Sequence, residues 1–98
     1  MARSHNEAEA ESLVKRASKV LRLPSDQAGL AELTKGDLRK VLVATLVREH
    51  TAVSNRWLAE RLAMGHTGGL SRLIGKFKMN KENVERLSVM NEMFKSDT

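Results

Sequence analysis

Residues 54–77 read SNRWLAERLAMGHTGGLSRLIGKF, and the spacing of apolar and glycine residues in that stretch decides the fold. Ser54 is placed to accept from the first amides of a helix, after which Leu58 and Leu62 fall one turn apart with Trp57 and Ala59 beside them. The run Met64-Gly65-His66-Thr67-Gly68-Gly69 breaks that pattern. Gly65 can adopt the left-handed conformation that ends a helix, and Thr67 can cap a new one beginning near Gly68. Helical spacing then resumes at Leu70, Leu73, Ile74 and Phe77, which turns Ser71, Arg72 and Lys76 outward. Two short helices around a tight turn follow: a helix-turn-helix over about residues 54–78. Such a unit needs a small residue where its helices cross, glycine in the turn and an apolar inner stripe on the second helix, and Ala59, Gly65 and Leu70/Leu73/Ile74 supply them.

On the N-terminal side, Lys35-Gly36-Asp37 marks a break, with Asp37 as the cap of a helix running to about Glu49. Leu38, Val41, Leu42, Thr45 and Leu46 form one stripe of that helix. Val43 and Val47 widen it enough to predict burial on two sides, so this is the expected central helix. Further upstream, Ser4 and Glu7 have capping-box spacing and Leu13, Val14, Ala17, Val20 and Leu21 share a face, until Pro24 stops the helix. Between Ser25 and Leu33 the apolar residues admit either a short helix interrupted by Gly29 or a packed loop. On the C-terminal side Asn80 is placed to cap a last helix from Lys81 to about Lys95. Its expected inner face is Val84, Leu87, Asn91 and Phe94, with Met90 and Met93 nearby. The sequence therefore predicts a single all-α domain over residues 1–98, built of four or five short helices with an embedded helix-turn-helix.

Composition agrees with that class. Hydrophobic residues make up 41% and charged residues 30% of 98, an ordinary globular balance. The aromatics are Trp57, Phe77 and Phe94 alone, too few for a sandwich or barrel. Absence of cysteine excludes disulfides and thiolate metal sites, and places the expected home of the chain in a reducing cytoplasm. The longest apolar run, Val41 to Ala44, is far too short to span a membrane, and Glu7, Glu9 and Glu11 stand where a signal peptide would be basic and then apolar.

Charge indicates the partner. Seventeen Lys and Arg against twelve Asp and Glu give +5, and the surplus is local. Residues 34–81 hold ten basic and three acidic side chains, a balance of +7, while the rest of the chain sums to −2. That is the footprint of a protein docking on phosphates. In a helix-turn-helix that reads DNA the second helix lies in the major groove and the first braces the backbone. Ser71 and Arg72 are then the candidates for base edges, and Arg56, Arg61, Lys76 and Lys78 for phosphates. The glycines Gly68 and Gly69, with Thr67, leave the start of the second helix open to a phosphate. His66 is placed either to contact a phosphate or to fix the turn by bonding a neighbouring carbonyl.

The run from Lys35 to Ile74, KGDLRKVLVATLVREHTAVSNRWLAERLAMGHTGGLSRLI, resembles the C-terminal helix-turn-helix tail of REP-associated tyrosine transposases, especially those of planctomycete type. KGD, VSNRWLAERLAMGH and SRLI carry the likeness, and GHTGGLSRLI has a weaker similarity to the DNA-binding domain of the bacterial replication initiator and the Trp-repressor-like superfamily. The resemblance implies duplex DNA as partner and an accessory role. It does not bring the transposase chemistry with it, because the chain has no tyrosine and His5, His50 and His66 are too far apart to form that family's histidine pair. No nucleophile tied to a histidine and no phosphate-cradling loop followed by Lys-Ser or Lys-Thr is present, so no enzyme, metal or cofactor is expected. The alternatives are structured RNA, read by shape, and a protein partner or homodimer. The latter would be held by the C-terminal helix through Val84, Leu87, Met90, Met93 and Phe94.

Overall fold

Eight consecutive residues, 40–47, are buried, and they form the middle of the helix around which the others are arranged. The structure is a computed structural model that describes residues 2–65 and 67–95, and the side chains of residues 7–65 and 68–94. Six helices follow in order: α1 (Ala2–Leu21), α2 (Gln27–Ala31), α3 (Leu38–His50), α4 (Asn55–Arg61), α5 (Thr67–Lys78) and α6 (Lys81–Lys95). The all-α expectation holds, and the described residues contain no strand. Helix α3 packs on α1, α5 and α6, and α5 also packs on α4 and α6. A helix covered on opposite flanks must be apolar nearly all round, which is why Val43 and Val47 are as fully buried as Leu46. No helix among the described residues is long and apolar enough to cross a membrane.

Three of the expected internal caps, Asp37, Ser54 and Asn80, are made by a side-chain oxygen. Asp37 accepts from the Arg39 amide at 2.9 Å, Ser54 from Trp57 at 3.1 Å, and Asn80 from Glu82 and Asn83 at 2.9 and 3.3 Å. At the N-terminus the capping-box expectation fails, because α1 begins at Ala2 and runs through Ser4. The alanine- and glutamate-rich stretch sustains helix past the pair that was to start it.

Both α1 and α4 end in the same way without glycine. Arg22 (φ 59°) and Ala63 (φ 53°) take the left-handed conformation, and the next amides reach back five residues, Leu23 to Ser18 and Met64 to Ala59, each at 2.8 Å. Leu23 and Met64 are buried, supplying the hydrophobic contact that accompanies this motif. Helix α4 thus stops four residues before Gly65, the expected terminator, and Ala63 takes the left-handed place. Gly65 (φ 85°) instead continues the turn, with the Lys35 stem against it.

Between α1 and α3 the chain forms a helix. Asp26 caps α2 by accepting from the Gly29 amide at 3.1 Å, and Leu30 is fully buried. Gly29 is required by close approach, since a Cβ there would lie 2.5 Å from Pro24 Cβ. Alanine for glycine inside a helix ordinarily gains up to ~1 kcal/mol of propensity. Here the sign should reverse, with Gly29→Ala costing ~1–2 kcal/mol through overpacking against a rigid ring. A urea-unfolding midpoint that rises in the variant would refute the packing argument.

On α6 the inner face is Asn83, Leu87, Met90 and Phe94. Val84, expected inside, is 42% exposed and Asn91, also expected there, is half-buried, while of the two methionines expected nearby Met90 is buried and Met93 is 43% exposed. The shift has a polar cause: Asn83 Nδ2 donates to the Phe77 carbonyl at 3.2 Å, so an asparagine takes the buried place by closing the end of α5. Asn91 bridges α6 to the end of α3, pairing with His50 Nε2 at 2.7 Å and donating to Glu49 at 3.2 Å. Across the bundle, the Arg16 guanidinium lies 4.7 Å from the centre of the Phe94 ring, which links α1 to α6.

Candidate nucleic-acid interface

Helices α4 and α5 are joined through residues 62–66 and pack on each other. Leu58, Leu62 and Leu70 are fully buried in the core, with Ala59, Ile74 and Phe77 nearly so. At their outer edge Asn55 Nδ2 donates to Ser71 Oγ at 3.1 Å, so the start of α4 holds the first turns of α5 in register. Gln27 Nε2 donates to the Glu60 carbonyl at 2.6 Å, fastening the end of α4 to α2.

Lys40 secures the turn from beneath. Its side chain has no exposed surface, and Nζ donates to the carbonyls of Leu30 (2.9 Å), Ala63 (3.1 Å) and Leu33 (3.5 Å). Two of these carbonyls follow the last turns of α2 and α4, where partial negative charge collects. Burial pushes the Lys40 pKa below the ordinary lysine value, against the opposing pull of Asp37. The charge balance of residues 34–81 includes Lys40 among the cations expected at the surface, and the structure places it inside. Its position beside buried Val43 and Ala44, one turn on, was the signal that it faces inward.

The ten basic residues of segment 34–81 therefore divide into groups. Lys40 is internal, and Arg39, Arg56, Arg61 and Lys78 form ion pairs with Asp37, Glu60, Glu11 and Glu49. Lys35, Arg48, Arg72, Lys76 and Lys81 are left exposed, and among the described residues none of these has an ion-pair partner.

Of the expected phosphate and base contacts, Arg72 and Lys76 stand on the open side of α5, one turn apart. Ser71 is exposed beside them, its hydroxyl already accepting from Asn55. No acidic residue occurs anywhere in α5. A Cβ at Gly68 or Gly69 would meet nothing within 4 Å, so the start of the helix is unobstructed from its own chain. Arg56 is exposed and holds Glu60 at 3.3 Å in a surface pair, an interaction weak enough to be exchanged for a phosphate. Lys78 is drawn toward the end of α3 by Glu49 at 3.2 Å. His66 and the side chain of Thr67 lie outside the described residues; the Thr67 backbone is already the first turn of α5 rather than its cap.

Arg61 is placed differently from its expected role at the phosphates. Nε and Nη2 donate to the two carboxylate oxygens of Glu11 at 2.7 and 2.9 Å, and Nη2 also donates to the Ser25 carbonyl. Only 14% of its side chain is exposed. A bidentate fork of this kind fixes α4 against α1, so Arg61 braces the unit from inside. The hydrogen bonds from Arg61 hold the Glu11 carboxyl below its usual range, outweighing the opposing effect of burial. Because the folded-state pKa is the lower one, this contribution is complete above pH 4.5 and is lost as pH falls through the folded value. Glu11→Gln should therefore flatten the decline of stability below pH 4.5, as followed by thermal unfolding at stepped pH. An acid limb identical to that of the parent would remove Glu11 from the account.

Among the described residues no three His, Cys, Asp or Glu side chains gather as they would around a metal ion. No protein-family model, curated protein or solved structure matches the chain.

Proposed function

We propose that the chain binds double-stranded DNA through α4, its turn and α5, with α5 as the helix that enters the major groove, and that it acts by binding alone. The observation that carries this reading is the outer face of α5. It presents Arg72 and Lys76, exposed and without ion-pair partners among the described residues, on a helix free of acidic side chains and open at its start. A surface basic by accident usually offsets its cations locally, as Arg39, Arg56 and Lys78 do elsewhere on this chain. On α5 the uncompensated charge coincides with the helix that Asn55, Lys40 and the α3 core hold in place, which is how a reading helix is presented. The resemblance of residues 35–74 to a transposase tail supports the same reading, as a small regulator or a transposase-derived module.

The test is a salt titration of binding to random duplex DNA, with an RNA duplex of equal length as comparison. Three or so phosphate contacts should give a log–log slope on the order of −3 for DNA. Weaker binding to the RNA is expected, because its deep, narrow major groove does not admit a helix. A flat salt dependence, or preference for the RNA, would overturn the proposal.

A further inference from the structure

We infer that a second surface, independent of the DNA reading, seats an acidic amphipathic helix from a protein partner. Of the six large apolar side chains left exposed among the described residues, four surround one groove: Val20 at the end of α1, Leu38 at the start of α3, and Val89 and Met93 on α6. Their exposures run from 43% for Met93 to 61% for Val89, and the groove encloses about 280 Å³. Gathered apolar exposure of this kind marks an interaction site more often than scattered single residues do. Val20 and Leu38 have the spacing of core residues but reach this groove instead of the interior.

The polar edge selects the occupant. Two guanidiniums, Arg39 and Arg86, line the groove, and no carboxylate does. Arg39 is held there by Asp37 at 3.3 Å and by the Arg22 carbonyl at 3.5 Å, a pair that fixes the guanidinium in place while offsetting part of its charge, so Arg86 is the groove's uncompensated cation. Arg86 is exposed and has no ion pair among the described residues. An apolar floor between two cations is complementary to a segment whose apolar stripe is flanked by Asp and Glu. A helix fits this description better than an added strand, because the described residues offer no sheet edge to extend. A second copy fits it worse: a self-complementary contact would bring the Arg39 and Arg86 of both chains into one interface, on chains each carrying +5.

The experiment uses the full chain and three labelled synthetic peptides of about 16 residues, long enough to form helix on docking. One has leucines at helical spacing with Glu and Asp between them, one has Lys in place of the acids, and one is a scramble of the first. Fluorescence anisotropy should show the acidic peptide binding at least tenfold more tightly than either of the others. Amide shifts should be confined to the end of α1, the start of α3 and α6. Val89→Asp and Arg86→Glu should each lower that affinity at least tenfold, while Arg72→Ala leaves it within twofold. Both altered sites are exposed, so helical content by circular dichroism should stay at the parent level. Equal binding of the scramble or of the lysine peptide would overturn the inference, as would shifts confined to α5. Self-association of the free chain that Val89→Asp abolishes would also overturn it, by identifying a second copy as the occupant. Because Arg72→Ala is read separately on DNA, failure here leaves the DNA proposal standing, and the converse also holds.

Discussion

Lys40→Met should lower the free energy of unfolding by ~3 kcal/mol, and the midpoint of thermal unfolding by on the order of 10–20 °C, a size typical of buried polar losses in a domain this small. The sign needs argument, because removing a buried charge can be neutral or even stabilising when an apolar side chain of similar shape replaces it. Methionine does match the lysine stem, so little cavity is left. The difference lies in what the ammonium touches. The Leu33 and Ala63 carbonyls have no other donor among the described hydrogen bonds, and Leu30 keeps only the Leu33 amide. Methionine leaves two part-buried acceptors without their donor, at ~1–3 kcal/mol each, and takes one of two donors from the buried Leu30 carbonyl. Relief of the desolvation that depresses the lysine pKa acts in the opposite direction. Lys76→Met, on the open face of α5, is the control and should stay within ~0.5 kcal/mol. A Lys40→Met midpoint equal to that of the control would show that the three carbonyls do not depend on the ammonium. Since Ala63 belongs to the turn before α5, the same substitution should also loosen that turn, visible as faster amide exchange in residues 62–65 than in α1.

Lys40 also shows where the sequence ceases to be legible. Apolar periodicity located the helices from α3 to α6, and the side-chain caps at Asp37, Ser54 and Asn80 fixed their starts, because both signals are local. Which face of a helix is covered depends on its neighbours, and there hydrophobicity misleads wherever a polar group has a backbone partner. Asn83 displaced Val84 from the inner face of α6 because the end of α5 supplied a carbonyl. Lys40 went inward because two helix ends converge on it. Arg61 left the outer surface because Glu11, fifty residues away in sequence, met its guanidinium. Val20 and Leu38 depart the other way, keeping core spacing while lining a groove that no other described residue fills. On the candidate interface, the residues placed correctly on the open face, Ser71, Arg72 and Lys76, are those whose position follows from the α5 stripe alone. Pairings such as Asn55 with Ser71 and Lys78 with Glu49 needed the tertiary arrangement.

Substitutions at Arg72 and Lys76 should differ in kind, and together they should have the largest effect on binding. Both side chains lie on the exposed face of α5, one turn apart, so neither change should disturb the core. Arg72 stands nearer the start of the helix, where side chains meet base edges. Arg72→Ala should cost ~1–3 kcal/mol on a site selected from random sequence while nearly sparing random duplex, because a guanine contact discriminates between sequences. Lys76, one turn further on, should meet a phosphate. Lys76→Ala should weaken selected and random DNA alike and make the salt slope shallower by about one unit, since one fewer counterion is released. Reversing both charges, Arg72→Glu with Lys76→Glu, not only removes two cations but sets two anions against the backbone. Affinity for random duplex at moderate salt should then fall roughly 10²- to 10³-fold, with helical content unchanged. The comparison with Arg61 sharpens the test. Arg61→Ala should reduce stability through the orphaned Glu11 and, at a temperature where the variant is still folded, leave the salt slope as it was. If the double reversal binds as the parent does while Arg61→Ala abolishes binding in a folded domain, the nucleic-acid surface lies on the α1–α4 side. The groove-entering role would then pass from α5 to the brace.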